Sequence, residues 1–583
     1  KRQIMNNILK NKHILLYILA VYGICTIAVC ILWQEMHLAP VSIIAMSILW
    51  GFGSNYAANK AKYWLFLILV TIASSSFLAI EFLSELGSPQ SIRTVYKTIG
   101  LFGLCAFAWL VVPPIFTFKF LRILSSFLIG LFTLTPCIIF WGYYQITGEL
   151  MGADAVLAVA QTNQREAISY FYDFIPVSLL VYTGIAVIFL IALYLYLTHH
   201  INLRFSTNKK IIALMIVIFI VGMIDAKKNA VKKTIDEAEN GIAGYNQFKE
   251  KAKERYNTNS ELQLDIQSKE AGVFVLVIGE SQNKNHMSAY GYKRDTTPWL
   301  DSMKKQNNFL FFEEAHSCHT HTVQVLSYAM TSKSQYNSEN LEDAVSLIEI
   351  AKHAGYKTVW ISNQVKYSAW DTPTSIIADA ADEQIWLNHH LGESTSTSVY
   401  DMYLSKAVQD LQKAKKMLIV LHLMGNHGTY KDRYPSEYSK FKQKNKIDTY
   451  DNSILYNDAV VKEIYKTVQA IPNFKAMLYL SDHADDIDAG LGHDSSMYTQ
   501  NMTEILKYLI CSPKYQKENQ SMLNILERHQ KSMFTNDLLF EFMLSLMQIH
   551  YPKTYEPQND FTSSQYNGDK ARFRTLHGKK VFE

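Results

Sequence analysis

Hydrophobic residues are concentrated in the first 226 positions of this 583-residue chain. They form seven runs, at about 13–33, 40–56, 63–82, 98–118, 123–145, 177–198 and 211–226. Several runs approach the roughly 20 residues that an α-helix needs to cross the hydrocarbon core of a bilayer. Seven such runs in succession are atypical of soluble core helices, so the pattern predicts a transmembrane helical domain over residues 1–226.

Basic residues in the connections predict an orientation for these spans, because Lys and Arg favour cytoplasmic loops. They precede the first run and flank alternate later connections: Lys1, Arg2, Lys10, Lys12, Lys60, Lys62, Lys119, Arg122, Arg204, Lys209 and Lys210. Two sets run against this rule: Arg93 and Lys97 in a predicted outer loop, and Lys227, Lys228, Lys232 and Lys233 after the last span. A large translocated domain overrides local charge, so we expect an odd number of crossings and an external C-terminal domain. The first run lacks a small-residue cleavage site and is interpreted as an anchor.

The pattern changes after a charged helical segment at residues 227–270, which is predicted to be an interfacial linker. Short apolar strands are predicted in AGVFVLVIGE, YKTVWIS, KKMLIVLHL and FKAMLYLSD, and helices in LEDAVSLIEIAKHAG and VVKEIYKTVQAI. This alternation predicts an α/β domain with a mostly parallel central sheet over residues 271–583. Within the earlier connection at 146–172, VAQTNQREAISYF has apolar spacing that fits either an interfacial amphipathic helix or a connecting helix.

Metal-ligating side chains follow two of the predicted strands. Glu280 comes directly after VFVLVIG, and Asp482 and His483 come after AMLYLS. Because the carboxyl ends of parallel strands meet at one edge of a sheet, we expect these three side chains in one crevice. Two carboxylates and an imidazole suit zinc or a similar divalent ion that keeps a coordination position open.

The tract SCHTHT at residues 317–322 offers two hydroxyl nucleophiles to this site, Thr320 and Thr322. A free hydroxyl is a weak nucleophile, and coordination to a divalent cation lowers its pKa. The combination therefore predicts a catalytic site rather than a set of helix caps and turn residues.

Four motifs follow one another along the chain: IGES at 278–281, SCHTHT at 317–322, HLMGNHGTYKDRYP at 422–435 and SDHAD at 481–485. In this order they resemble the motifs of the membrane-anchored phosphoethanolamine transferases of the alkaline phosphatase and sulfatase superfamily, which include polymyxin-resistance enzymes. The resemblance covers most of residues 271–550, and NHMSAYGYKRDTTP is most similar to the branch that modifies the lipopolysaccharide core. It implies an α-helical transmembrane domain followed by an α/β alkaline-phosphatase-like, or sulfatase-like, domain. The family usually has five transmembrane helices, so we expect five to seven spans.

The resemblance also implies roles for individual residues. Thr322, favoured over Thr320, would be the nucleophile, and His427 and His493 would face the phosphoryl group. The metal ligands would be Glu280, Thr322, Asp482 and His483. They would hold one Zn2+ tightly, and a second, weaker metal site stays open.

Further residues are predicted to contact substrate. Asn363 and Gln364 follow one predicted strand and are expected to line the crevice, and Asn285 and His422 are additional candidates. The chain departs from the family pattern after the nucleophile: relatives often have a proline and a second cysteine where it reads VQVLSYAM, which rules out a short loop disulfide from Cys318. The sequence leaves a pairing of Cys318 with Cys511 open.

The function that the resemblance implies is transfer of phosphoethanolamine from phosphatidylethanolamine to lipopolysaccharide, on a core sugar or lipid A, through a covalent phosphoethanolamine-threonine intermediate. The protein would be a monomeric, multi-pass protein of the Gram-negative inner membrane with its catalytic domain in the periplasm. The alternatives are a phosphoglycerol or phosphoethanolamine transferase acting on a periplasmic glucan or other envelope glycan, and a non-catalytic membrane scaffold or transporter. A sulfatase is disfavoured because a CxPxR-like loop is absent from the sequence. A net charge of +4 over 583 residues gives no indication of nucleic-acid binding.

Overall fold

The computed structural model describes residues 20–24, 40–80, 92–148, 150–161, 167–168, 170–172, 175–201, 203, 208–258, 262–267, 272–365, 373–388, 399–442 and 444–582. Its contacts divide the chain into two compact units. The first is Lys1–Val156 with Tyr170–Asn240, and the second is Leu157–Ser169 with Gly241–Glu583.

Most described residues of the first unit lie in helices. Its helices are α1 (Val41–Ser54), α2 (Lys60–Ser75), α3 (Ile92–Val111), α4 (Lys119–Thr147), α6 (Val177–Ile201) and α7 (Lys209–Ala226). Two further helices, α5 (Ala153–Gln161) and α8 (Ala230–Thr258), each contain a point where the chain passes from one unit to the other. Among the described residues, four segments are long and apolar enough to cross a membrane: Lys60–Ala79, Ile92–Ile115, Lys119–Thr147 and Val177–Tyr196. Six of the seven predicted runs thus coincide with helices, and the first lies mostly outside the described residues. The segment at 159–171 is only partly described.

Arg93 and Lys97 were expected in an outer loop, and that placement is wrong, because both lie within α3. The side chain of Lys97 is buried, and its ammonium is 3.6 Å from the carboxylate of Asp225 on α7. Asp225 also accepts a hydrogen bond of 2.9 Å from the backbone N–H of Ser42. A buried charge must be paired, and Asp225 is the partner of Lys97. Lys97 therefore gives no information about the orientation of a loop.

The second unit is built on a seven-stranded sheet with the strand order β3-β9-β8-β2-β7-β5-β6. The strands are β2 (Val273–Gly279), β3 (Phe309–Phe312), β5 (Lys357–Val365), β6 (Glu383–Asn388), β7 (Met417–His422), β8 (Phe474–Ser481) and β9 (Lys507–Cys511). Five neighbours, from β8 to β6, are parallel, and β9 is antiparallel to both β8 and β3. The predicted mostly parallel sheet is confirmed, and the four predicted strands are β2, β5, β7 and β8.

Shorter elements surround this sheet. Three strand pairs lie outside it: β1 (Asp265–Ile266) with β11 (Ile549–His550), β4 (Ala315–His316) with β10 (Phe534–Thr535), and β12 (Arg574–Thr575) with β13 (Lys580–Val581). The helices are α9 (Pro298–Met303), α10 (Thr322–Ala329), α11 (Leu347–His353), α12 (Pro373–Asp379), α13 (Met402–Asp410), α14 (Lys446–Val468), α15 (Pro513–Glu518), α16 (Gln520–Arg528) and α17 (Leu539–Leu546).

Strand β2 shows that the sheet is the middle layer of the unit, with a hydrophobic cluster packed on each of its two faces. All seven of its residues are buried, and successive side chains of a strand point to opposite faces. Phe274, Leu276 and Ile278 therefore join one hydrophobic cluster, while Val273, Val275 and Val277 join a second. A strand that buries both faces reads as a continuous apolar run, which is the pattern that the sequence shows.

The register of β2 against β8 fixes the position of the candidate ligands. Gly279 pairs with Ser481 at the carboxyl end of both strands. The next residues, Glu280 and Asp482, therefore leave the sheet side by side. His422 at the end of β7 is aligned with Ile278, so this strand also ends at the same edge.

Candidate metal centre and active site

A sharp turn follows β2 and connects the two carboxylates. Ser281 has a φ of 56°, in the left-handed region that non-glycine residues rarely adopt. In this conformation its backbone N–H donates to Oδ1 of Asp482 at 3.2 Å, and its hydroxyl donates to Oε1 of Glu280 at 2.6 Å. Such backbone strain persists where several contacts determine it together, and here those contacts orient the two candidate ligands.

Glu280, Asp482 and His483 form one compact, fully buried group, and their ligand atoms lie within 4.8 Å of one another. Nε2 of His483 is 3.4 Å from Oε1 of Glu280 and 3.5 Å from Oδ2 of Asp482. Oδ2 of Asp482 accepts no hydrogen bond from any residue that the structure describes. A buried carboxylate oxygen without a donor is a group that a cation would satisfy.

The electrostatics of this group also favour a bound cation. Burial, followed by the charge of Asp482, raises the pKa of Glu280 well above 4.5, and burial raises the pKa of Asp482 as well. Burial lowers the pKa of His483 well below 6.5, so its imidazole is neutral and available as a ligand. Two adjacent carboxylates resist simultaneous ionisation unless positive charge lies between them. The residues therefore fit a divalent ion such as Zn2+.

Thr322 is the first residue of α10, and its hydroxyl lies at this group. Oγ1 donates to Oε2 of Glu280 at 3.1 Å and is 3.3 Å from Nε2 of His483. Thr320, by contrast, is 0% exposed, and its hydroxyl has no hydrogen-bond partner among the described residues. Thr322 is partly exposed, so the geometry favours it over Thr320 as the group that meets a substrate.

The loop that precedes Thr322 is held by hydrogen bonds. The hydroxyl of Ser317 donates to the carbonyl of Asp482 at 2.7 Å. Asn536 donates from Nδ2 to the same carbonyl at 2.6 Å and accepts from the N–H of Cys318 at 2.9 Å. Asn536 lies in a short turn that carries no motif, so sequence reasoning had no signal for it. Cys318 and Cys511 are both free, buried thiols.

His493 forms a second arrangement beside the first. Its Nδ1 is 2.7 Å from Oδ1 of Asp485, and its ring lies 4.3 Å from the ring of His483 between centroids. Asp485 also accepts a hydrogen bond from the hydroxyl of Tyr430 at 2.6 Å. Burial is the largest single influence and opposes the protonation of His493, but the charge and hydrogen bond of Asp485, together with the charges of Asp482 and Asp494, raise the pKa of the imidazole above 6.5. His483, Asp485 and His493 also form a second group with metal-ligand spacing.

The loop that contains His427 packs against the backbone of Glu280. Gly425 has a φ of 50°, and a Cβ at this position would lie 2.8 Å from the carbonyl oxygen of Glu280. The N–H of Asn426 donates to that oxygen at 2.9 Å. Burial, and then the charges of Arg433, His493 and His483, lower the pKa of His427 well below 6.5. His427 is therefore a neutral imidazole close to the candidate metal centre.

Gln364 touches the centre directly. Its Nε2 donates to Oε2 of Glu280 at 3.3 Å and to the carbonyl of Leu423 at 2.9 Å. The neighbouring Asn363 is fully buried, and its amide donates to the carbonyl of Val399 at 2.9 Å and to Asp401 at 2.8 Å. Gln364 orients a candidate ligand, whereas the amide donors of Asn363 are used within the fold.

The two other predicted substrate contacts, His422 and Asn285, differ in their burial. His422 is buried, neither of its ring nitrogens has a hydrogen-bond partner among the described residues, and burial lowers its pKa to about 4. Asn285 is exposed, and its amide donates to Asn501 at 3.3 Å and to Glu504 at 2.8 Å. Of the four predicted substrate contacts, Gln364 is the one whose hydrogen bond reaches the cluster of Glu280 and Thr322.

The sequence is similar to those of known proteins. The Sulfatase family model matches residues 273–549. Phosphoethanolamine transferase EptC of Escherichia coli is 28% identical over 467 residues, which cover 73% of this chain and 78% of that protein. Phosphoethanolamine transferase CptA of Salmonella typhimurium is 26% identical over 418 residues, which cover 65% of this chain and 71% of that protein.

A solved structure extends the likeness to the N-terminal helices. The integral membrane protein lipooligosaccharide phosphoethanolamine transferase A of Neisseria meningitidis covers 85% of this chain and 98% of its own, with a TM-score of 0.56 and 17% identity. This likeness supports the fold of both parts of the chain. Residues 273–549 therefore form a sulfatase-family domain, and the chain is similar in sequence to the phosphoethanolamine transferases EptC and CptA.

Proposed function

We propose that the protein transfers phosphoethanolamine from phosphatidylethanolamine to lipopolysaccharide through a covalent intermediate on Thr322. The observation that carries this proposal is the hydroxyl of Thr322, placed 3.1 Å from Glu280 and 3.3 Å from His483 within a buried group of ligand-type side chains. The named activity of the relatives supports the transferred group. The acceptor would be a core sugar or lipid A.

Glu280, Asp482 and His483, with Thr322, would hold one Zn2+ ion in this site. The bound ion would supply Lewis-acid chemistry, lowering the pKa of a coordinated hydroxyl and neutralising charge on a phosphoryl group. A second metal held by His483, Asp485 and His493 is compatible with their spacing. No step below depends on that second ion.

In the first transfer, the oxygen of Thr322 forms a bond to phosphorus while the bond from phosphorus to the glycerol oxygen breaks. The hydroxyl proton of Thr322 leaves along its 3.1 Å hydrogen bond to Oε2 of the ionised Glu280 carboxylate, which accepts it. The departing glycerol oxygen takes a proton from His493 and leaves as diacylglycerol. His493 suits this role because Asp485 favours its protonated form.

The second transfer reverses these roles. A hydroxyl or phosphate oxygen of the acceptor attacks phosphorus. If that oxygen carries a proton, the proton passes to His493. The oxygen of Thr322 leaves and recovers its proton from Glu280. His427, with its low pKa, acts as a neutral partner of the phosphoryl oxygens rather than as the acid. The N-terminus of α10, where Thr322 lies, adds backbone N–H groups that favour negative charge.

We place this reaction at the outer face of a Gram-negative inner membrane. The apolar helices and the basic connections support a membrane anchor with an external catalytic domain. The phosphate of a phospholipid lies at the bilayer surface, so a tethered domain is well suited to reach it.

The direct test is release of diacylglycerol from a fluorescent phosphatidylethanolamine by the purified full chain in detergent. We expect Thr322→Ala to abolish release and the matched Thr320→Ala to retain it. Retained release in Thr322→Ala would overturn the proposed nucleophile. Mass spectrometry of lipopolysaccharide from cells with and without the gene identifies the acceptor, and unchanged lipopolysaccharide would refute that part of the proposal.

A further inference from the structure

A short hairpin near the end of the chain reaches the loop that carries Thr322. It consists of β12 and β13, which pair through Arg574 with Val581 and Thr575 with Lys580, and it lies beyond the 273–549 segment matched by the family model. Leu576, His577 and Gly578 in its turn have φ values of 50°, 52° and 90°. Two successive non-glycine residues in the left-handed region persist only where their contacts determine the conformation.

Two of those contacts are made with the loop before Thr322. The hydroxyl of Thr575 donates to the carbonyl of Ser317 at 2.9 Å, and the N–H of His577 donates to the carbonyl of Cys318 at 3.1 Å. The hairpin thus binds two consecutive carbonyls of the nucleophile loop. No disulfide fixes this loop, because Cys318 is a free thiol.

The side chain of His577 contacts the helix after Thr322 as well. Its Nε2 lies 3.1 Å from the carbonyl of Gln324, in the first turn of α10. Its ring stacks on Tyr328 of the same helix, with 3.9 Å between centroids and 5° between the planes. The ring also lies 4.9 Å from that of His319. His577 therefore connects the loop that precedes Thr322 to α10, the helix that begins at Thr322.

Gln335 fixes the hairpin in turn. Its Nε2 donates to the carbonyl of Arg574 at 3.0 Å, and its Oε1 accepts from the N–H of Gly578 at 2.7 Å. Both ends of the turn that presents His577 are held by this one side chain. The hairpin is thus tied to the body of the domain and can transmit its position to the loop.

We infer that His577 is a positioning residue for Thr322, holding the loop and α10 so that the hydroxyl meets the phosphoryl group in line. The inference rests on the proposed role of Thr322 as nucleophile. His577 reaches the carbonyls of Cys318 and Gln324 on either side of Thr322, so it acts through backbone geometry. A displacement of about 1 Å at a reacting group costs about 100-fold in rate, which makes such support measurable.

The test measures the rate of adduct formation on Thr322 in a single turnover of the full chain with phosphatidylethanolamine. We expect His577→Ala to slow adduct formation by about 10- to 100-fold, while the metal content and the KM for the donor stay at wild-type values. The matched control is His550→Ala, whose ring makes an edge contact with Tyr555 at 4.4 Å. It should form the adduct at the wild-type rate.

Thr575→Val supplies a second, nearly isosteric variant that removes one hydroxyl contact with the loop. It should also slow the adduct at unchanged KM, and it decides the matter if His577→Ala does not fold. Wild-type rates in both folded variants would overturn the inference and leave the proposed function intact. Absence of any adduct in the wild-type protein would instead refute the proposed function, and this inference with it.

Discussion

The hydrogen bond from Gln364 to Glu280 gives the account a quantitative test. Gln364→Leu keeps the approximate volume of the side chain but removes the donor that lies 3.3 Å from Oε2 of Glu280. A hydrogen bond to a charged group contributes about 1.5–3 kcal/mol, and each 1.4 kcal/mol corresponds to a factor of ten in an equilibrium constant. Because the amide stabilises the ionised carboxylate that would bind the metal, we expect the metal Kd to rise about 10- to 100-fold.

The assay is a competition titration of the full chain with a chromophoric zinc chelator, accompanied by thermal unfolding of each variant. Gln409→Leu is the matched control, since this exposed glutamine donates to Thr467 at 3.4 Å, far along the sequence from the centre. Its metal Kd should equal that of the wild type. A Kd for Gln364→Leu within twofold of the wild type would refute the claim that Gln364 supports a metal ligand.

Three further predictions concern stability and topology. Burial lowers the pKa of Lys507 well below 10.5, so this amine costs the folded state stability at lower pH, and the cost shrinks as the pH rises toward 10.5. Lys507→Met should therefore raise the Tm at pH 7 by more than at pH 10.5, and an equal gain at both pH values would contradict this. Burial, and then the charge of Asp560, raises the pKa of Glu541 from 4.5 to about 8, so stability should fall as the pH rises between these values. Glu541→Gln should melt like the wild type at pH 4 and at a higher temperature at pH 8.5, and a lower Tm at pH 8.5 would refute the reasoning. A reporter phosphatase that folds only in the periplasm should be active when fused after residue 226 and inactive near residue 205, and the reverse pattern would invert the proposed orientation.

The parts of the fold that depend on local sequence pattern could be predicted. The apolar run of β2 and the tract before Asp482 predicted two buried strands, and their parallel register brings Glu280 and Asp482 together as expected. Strands β3 and β9 were not predicted, because an antiparallel pairing at a sheet edge depends on partners that are distant in sequence. Six of the seven hydrophobic runs matched described helices, yet Lys97 was misplaced because its partner Asp225 lies 128 residues away.

The site was predictable where motifs mark it and unpredictable where single hydrogen bonds shape it. The structure brings Glu280, Thr322, Asp482 and His483 into one group, and their metal-binding and catalytic roles stay predictions. Gln364 was expected to contact substrate but donates to Glu280. His577 had no sequence signal, because its contribution comes from a left-handed turn and a stacked ring rather than from a motif.

The central claim, that Thr322 carries the phosphoethanolamine group during transfer, is tested most directly by mapping the covalent adduct. The full chain is mixed with phosphatidylethanolamine without acceptor, quenched in acid within one turnover, digested and sequenced by mass spectrometry. The account predicts phosphoethanolamine on Thr322, in an amount that matches the diacylglycerol released. An adduct on any other residue, or release of diacylglycerol with no adduct at all, would contradict it.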